Sequence, residues 1–359
     1  MIRVRSILST FFDMDRRATP ASGFQGSAFM TKLRLNLACW NYDRTRALAD
    51  RSVQPEGIDL NYLELPVEET FFRMLRYREF EIAELSLSSY TMSLFTEQQP
   101  FIAIPVFPSR FFRHSCIYVS TAANIRTPKD LIGKRIGTPE YQMTAPVWIR
   151  GILSEHYDVP IDAVTYHTGG EEEPGRLEKM PLHLPSHIKV QPIGTTQTLA
   201  RMLADGEIDA LHTARMPSTF SLQGGAVRRL FPNYRDVEQE YFRKTRIFPI
   251  MHTVAIRRDV YEQNRWIARS LYKAFVEAQR CTYEDLYETA ALKAMLPWLT
   301  SHVEETRGLM GEDFWAYGIE SNRTALATFL RYHHEQGLSK RLLQPEELFA
   351  PETMLSFKI

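Results

Sequence analysis

Residues 127–157, TPKDLIGKRIGTPEYQMTAPVWIRGILSEHY, hold one complete strand-to-helix unit. KRIGT (134–138) is a short strand-favouring run, and TAPVWIRGILSEHY (144–157) repeats apolar residues at helical spacing. PEYQM lies between them, leaving the strand and entering the helix. Thr144 at that entry predicts a helix cap, and the free N–H groups of a helix start attract anions. Outward from this unit the alternation recurs. Strand-length runs are LRLNLAC (33–39), IDLNYLEL (58–65), FEIAELS (80–86), FIAIPVF (101–107), CIYVS (116–120), AVTYHT (163–168), EIDALHT (207–213) and TVAIR (253–257). Helical periods fall at VEETFFRML (67–75), TTQTLARMLADG (195–206) and a long stretch from Glu262 to Trp298. Pro66 precedes the first of these, where its missing N–H does no harm. Strands alternating with helices predict parallel sheets made of βαβ units, an α/β fold.

The chain has 359 residues with 43 Lys+Arg against 43 Asp+Glu, and 44% of it is hydrophobic. That length suits about two ordinary domains. Zero formal charge removes the field that draws proteins to DNA or anionic lipid, so no nucleic-acid partner is expected. Cys39, Cys116 and Cys281 have no CxxC or metal-ligand spacing, and a reducing cytoplasm fits them best. No run approaches a membrane helix, and Asp13 and Asp15 interrupt any secretory signal, so neither membrane attachment nor export is expected. Residues 1–30 are expected to be a flexible leader outside the fold. The segment 167–188, HTGGEEEPGRLEKMPLHLPSHI, is too rich in Gly, Pro and Glu for a regular element. It reads as a solvated acidic insertion or as a lid over a cleft.

Ligands of open α/β sheets sit beyond the carboxyl ends of the strands, so the exits supply the candidates. Asn41, Tyr42 and Arg44 follow the first strand, Ser88 the third, and Gln142 and Thr144 follow KRIGT. In SRFFRHS (109–115), Arg110 and Arg113 offer bidentate forks for carboxylates, and Phe111 offers a flat apolar face. Arg215 follows EIDALHT. His114, His212 and His252 each stand at a strand end, where a neutral imidazole can exchange protons near pH 7. The helical His156, His302, His333 and His334 are expected to face solvent. A metal site built from His114, His212 and His252 has no HxH, HExxH or HxxxH spacing among those three to support it. GxGxxG, GxxxxGK[ST] and GxSxG are absent too, so no cofactor is expected.

TPKDLIGKRIGTPEYQMT (127–144) and TLARMLADGEIDAL (198–211) resemble segments of the type II periplasmic-binding-protein fold. LACWNYDRTRAL, EGIDLNYLEL, FEIAELSLSSY, PVFPSRFFRHSCIYV, HTGGEEEPGRLEK and PVWIRGILSEHY together resemble the 4,5-dihydroxyphthalate decarboxylase family, over nearly all of residues 32–350. The resemblance implies two lobes around a cleft, each a mostly parallel sheet flanked by helices. Lobe one would take 31–112 plus 254–359, and lobe two 113–253. It implies a small aromatic dicarboxylate as substrate, non-oxidative loss of CO₂ to give protocatechuate, and no cofactor. A homo-oligomer is compatible with it.

Direct loss of CO₂ from an aryl ring would leave an aryl anion of prohibitive energy. Protonating the carboxylate-bearing carbon first avoids this, and a para hydroxyl assists once a base takes its proton. Such a site needs an acid, a base and a cationic clamp, here expected from His114, His212, His252, Arg110 and Arg113. The alternatives are a substrate-binding protein or a cytoplasmic sensor for a small aromatic or heterocyclic acid. Either would use the clamp without proton chemistry.

Overall fold

The computed structural model describes residues 31–354. The first strands are β1 (Leu33–Cys39), β2 (Ile58–Glu64), β3 (Ile82–Ser86) and β4 (Phe101–Ile104). Then come β5 (Ile117–Ser120), β6 (Arg135–Thr138), β7 (Thr165–Thr168), β8 (Lys189–Pro192), β9 (Ala210–His212) and β10 (Val227–Arg229), and last β11 (His252–Arg257). They form two sheets, ordered β2-β1-β3-β11-β4 and β10-β5-β9-β6-β7-β8. In the first, β11 runs antiparallel to both its neighbours, while β1 lies parallel to β2 and β3. In the second, β5 is likewise the reversed strand. The chain thus leaves the first sheet after β4, enters the second through a reversed strand, and returns through another. Each sheet is otherwise parallel, and the architecture is the two-lobed, binding-protein-like α/β fold expected from the sequence.

Nine of the eleven strands among the described residues fall on the expected apolar runs, whereas β8, largely exposed, and β10 fall on none. β3 is buried at all five positions, and β1 and β11 over most of their length. The helix Thr144–Tyr157 lies where its periodicity placed it. Gly151 within it permits close packing on the helix Arg323–Glu335, since a Cβ there would sit 2.0 Å from the Tyr332 ring. Its entry differs from expectation. Met143 is the N-cap, without a side-chain cap bond, and the Thr144 hydroxyl bonds Ser86 and Ser88 across the sheets instead.

One long helix was expected over 262–298, whereas the structure has Trp266–Tyr287 and Leu299–Met310. The intervening Leu292, Met295 and Leu296 are exposed. With no surface to bury them, propensity alone does not sustain a helix there. The segment 167–188 is not simply solvated. Gly170 accepts a backbone bond from Leu199, and Glu171 and Glu178 are largely withdrawn from water. Burial pushes both carboxyls up to about 7, against the hydrogen bonds that each accepts. Residues 1–30, read as a leader, lie outside the described residues. Among the described residues no helix is long and apolar enough to cross a membrane.

Candidate functional site

Register builds the centre of the site. Ser86 of β3 pairs with His252 of β11, and Glu84 stands two residues earlier, so all three side chains share one face. The Glu84 carboxylate is wholly buried. It accepts hydrogen bonds from His252 Nδ1 at 2.6 Å, Tyr42 Oη at 2.7 Å and the Trp40 N–H at 3.1 Å. Burial alone would raise this carboxyl, but His252 and the other donors outweigh it and hold it below its ordinary range. Burial, reinforced by Glu84, pushes the Tyr42 hydroxyl far up, so it remains a donor. Because Nδ1 is committed to Glu84, the opposite ring nitrogen of His252 is left to the cleft. A buried carboxylate that fixes a histidine in one orientation is an arrangement suited to proton transfer.

The second sheet closes over this face through its own strand exits. Ser86 Oγ lies 2.8 Å from Thr144 Oγ1, and Ser89 Oγ donates to Gln142 Oε1 at 2.7 Å, joining the two lobes at the floor of the cleft. The 139–143 turn is held by Arg150, a buried cation whose Nη2 donates to the Tyr141 carbonyl at 2.5 Å. Beyond the turn stands a compact charge cluster. Glu140 is 1% exposed and accepts from Arg176 Nη2 at 2.6 Å and from Lys179 Nζ. Burial raises the Glu140 carboxyl, and the two cations overcome that and keep it ionised. Arg176 Nη2 also reaches Glu68 of the first lobe at 2.6 Å, and Arg215 Nη2 approaches the same carboxylate at 3.6 Å. The resulting cleft is about 360 Å³, and His252, Tyr42, Arg113, Phe111, Gln142, Thr144 and Arg215 all line it. A more open cavity of about 770 Å³ adjoins it and shares Glu68, Glu140, Met143, Lys179 and Arg215.

Arg113 is the cation best suited to a ligand carboxylate. It is 6% exposed, and its partners are two sulfurs, Met251 Sδ at 3.1 Å and Cys116 Sγ at 3.6 Å. No carboxylate lies within ion-pair distance of it among the described residues. Phe111, 49% exposed, lies beneath the guanidinium with 4.8 Å from Cζ to the ring centroid.

Other expected residues stand elsewhere. Arg110 is buried and donates to the Phe248 and Ala316 carbonyls at 3.1 and 2.6 Å, pinning the C-terminal segment rather than facing the cleft. Arg44 donates to the Pro108 carbonyl at 2.6 Å and stacks on Tyr42 and Trp315, so it braces the site from behind. Asn41 turns outward to Glu64 at 3.0 Å. Ser88 is fully buried and meets His333 Nε2 at 3.0 Å. His333, expected in solvent, is itself fully buried.

His114 and His212 do not reach the cleft. His114 is caged by the rings of Tyr157, Phe231 and Tyr241 at 5.9, 5.3 and 5.4 Å. His212 ends β9 inside the second sheet, opposite Ile117. Burial lowers the first to about 4 and the second to about 3, so both are neutral in the fold. An unfolded histidine takes up a proton below ~6.5. Each therefore contributes stability that is whole above that pH and is lost as the pH falls toward the folded value. His114→Phe is expected to retain activity. The stability of the parent relative to this variant should be level above pH ~6.5 and decline at up to about 1.4 kcal/mol per unit below it, read by denaturant titration at several pH values.

Glu84, Glu68 and Lys179 escaped the strand-exit rule. Glu84 carried a usable signal, a lone acid in the apolar run IAELS, since a buried charge requires a partner. Glu68 and Lys179 lie on a helix and in the irregular segment, where sequence gives no sign of what they face.

The fold and site define a two-lobed, binding-protein-like α/β protein whose cleft holds a carboxylate-oriented histidine among cations. No protein-family model matches the chain. It is 43% identical over 330 residues to the 4,5-dihydroxyphthalate decarboxylase of Comamonas testosteroni, covering 92% of this chain and all of that one. With the Pseudomonas putida enzyme of the same name it shares 44% identity over 214 residues, 60% of this chain and 83% of the other. The chain belongs to the 4,5-dihydroxyphthalate decarboxylase family. Similar solved structures include the aliphatic sulphonate binding protein SsuA of Escherichia coli, 13% identical with a TM-score of 0.48, covering 91% of this chain and 94% of that one. The alkanesulfonate-binding protein SsuA of Xanthomonas axonopodis pv. citri is 13% identical with a TM-score of 0.47, covering 90% and 97%.

Proposed function

We propose that the protein removes one carboxylate of 4,5-dihydroxyphthalate as CO₂, giving protocatechuate, by protonating the ring carbon before the carbon–carbon bond breaks. The observation that carries the chemistry is the Glu84–His252 pair at the cleft wall, 2.6 Å apart. His252 is the acid, delivering a proton from Nε2 to the carbon that bears the departing carboxylate. Glu84 holds the ring so that this nitrogen faces the substrate. Arg113 grips the carboxylate that stays, and Phe111 offers an apolar face to the ring. Gln142, Thr144 and Arg215 complete the enclosure from the second lobe. The lobes divide at 112/113 and 253/254, and the enzyme works in the cytoplasm on a small aromatic diacid. Membership of the decarboxylase family and a positioned acid both favour catalysis over simple binding.

Incubation of the purified protein with 4,5-dihydroxyphthalate, with and without EDTA, tests this. Equimolar CO₂ and protocatechuate are expected under both conditions. Binding without CO₂ release would make the protein a binding protein or sensor, and loss of activity with EDTA would replace the acid–base account with a metal-dependent one.

A further inference from the structure

His114 and His212 lie outside the cleft, so the base for the substrate hydroxyl has to come from another residue. Protonation at the carboxylate-bearing carbon makes the para hydroxyl strongly acidic, and a carboxylate is then basic enough to accept its proton. Among the described residues, three carboxylates stand around the cleft, and exposure separates them. Glu84 is saturated by four donors and wholly buried. Glu140 is held by Arg176, Lys179 and Gln142. Glu68 is paired too, with Arg176 at 2.6 Å, but 31% of its side chain is exposed, so of the three it alone is open to a ligand in the cleft it lines.

Its placement fits the substrate. Glu68 and Phe71 stand three residues apart on the helix Val67–Tyr77, hence on one helix face. The Phe71 ring meets His252 edge-on at 4.8 Å, so acid and carboxylate flank one aromatic side chain on the same wall. Arg113 is anchored on Met251, the residue beside His252. Glu68, Arg113 and His252 all line the one cleft, so a ring with its carboxylate edge at Arg113 and His252 has Glu68 within the same enclosure for its hydroxyl edge. Arg176 at 2.6 Å, Arg215 at 3.6 Å and Lys179 at 4.0 Å surround that carboxylate with the positive charge that a nascent phenolate requires.

We propose that Glu68 is the general base for the substrate hydroxyl para to the departing carboxylate, and that its three cations stabilise the oxygen as it gives up its proton. The step balances. His252 gives a proton to the ring carbon and a C–H bond forms. The para O–H breaks, its proton passes to Glu68, and its electron pair makes a ring carbonyl. The carbon–carboxylate bond then breaks, CO₂ leaves, its electrons restore the aromatic ring, and the carbonyl oxygen recovers the proton from Glu68. One proton is consumed, and solvent returns it to His252. This assignment rests on the decarboxylase reading above.

Glu68→Gln tests it against the parent, with 4,5-dihydroxyphthalate as substrate and phthalate, which lacks the hydroxyls, as binding probe. kcat is expected to fall roughly 10²–10³-fold while phthalate affinity stays within two-fold. The deficit should narrow as pH rises toward ionisation of the substrate's own hydroxyl, since the base is then unnecessary. Glu68→Ala serves as the second variant, and added acetate should restore part of its rate. A kcat within three-fold of the parent, a deficit equal at every pH, or tighter phthalate binding would overturn the assignment; the last would make Glu68 a competitor at a carboxylate site. A parent that releases no CO₂ would instead overturn the reaction itself.

Discussion

His252→Gln is expected to leave substrate bound within a few-fold while turnover falls roughly 10²–10⁴-fold, the usual contribution of a positioned acid. Gln keeps a polar group beside Glu84 but has no transferable proton at that place. The loss should therefore appear in kcat, with affinity for phthalate measured by calorimetry nearly unchanged. A buried carboxylate left without His252 is costly, so the variant should also melt lower than the parent. A parent-like kcat would remove His252 from the chemistry.

Arg113→Lys is expected to show the opposite signature. The guanidinium fork grips a carboxylate with two parallel bonds, and a lysine ammonium makes a single point contact. A charged hydrogen bond is worth about 1.5–3 kcal/mol, so substrate affinity should fall roughly ten- to a hundred-fold. Arg110→Lys should instead lower stability without a specific effect on KM, because that side chain serves the backbone carbonyls of Phe248 and Ala316. Equal loss of affinity in both variants would contradict the division of labour between the two arginines.

These two arginines show what a sequence can and cannot convey. Both lie in SRFFRHS, three residues apart, and both were expected to clamp the ligand. Exit position marks the end of the sheet at which a side chain starts, but not the direction in which it turns. Arg110 turns into the C-terminal segment and Arg113 into the cleft, a choice made by residues more than a hundred positions away. The same ambiguity misplaced His114 and His212. His252, chosen by the same strand-end rule, does line the cleft, because its strand pairs directly with β3 there. Local pattern served the elements better. Alternation marked β1 at Leu33–Cys39, and apolar spacing marked the helix Thr144–Tyr157, since both signals arise within the segment itself. The charge cluster of Glu68, Glu140, Arg176 and Lys179 joins a helix, a turn and an irregular segment, and only the packed chain brings them together.

A crystal structure of the His252→Gln variant with 4,5-dihydroxyphthalate would show whether a single cleft brings the reacting carbon to residue 252. The ring is expected in the 360 Å³ cleft, with one carboxylate on Arg113, the other carboxylate-bearing carbon facing residue 252, and the hydroxyl edge toward Glu68. A substrate seated instead in the adjoining cavity among Arg76, Glu173 and Met216, away from residue 252, would contradict the account.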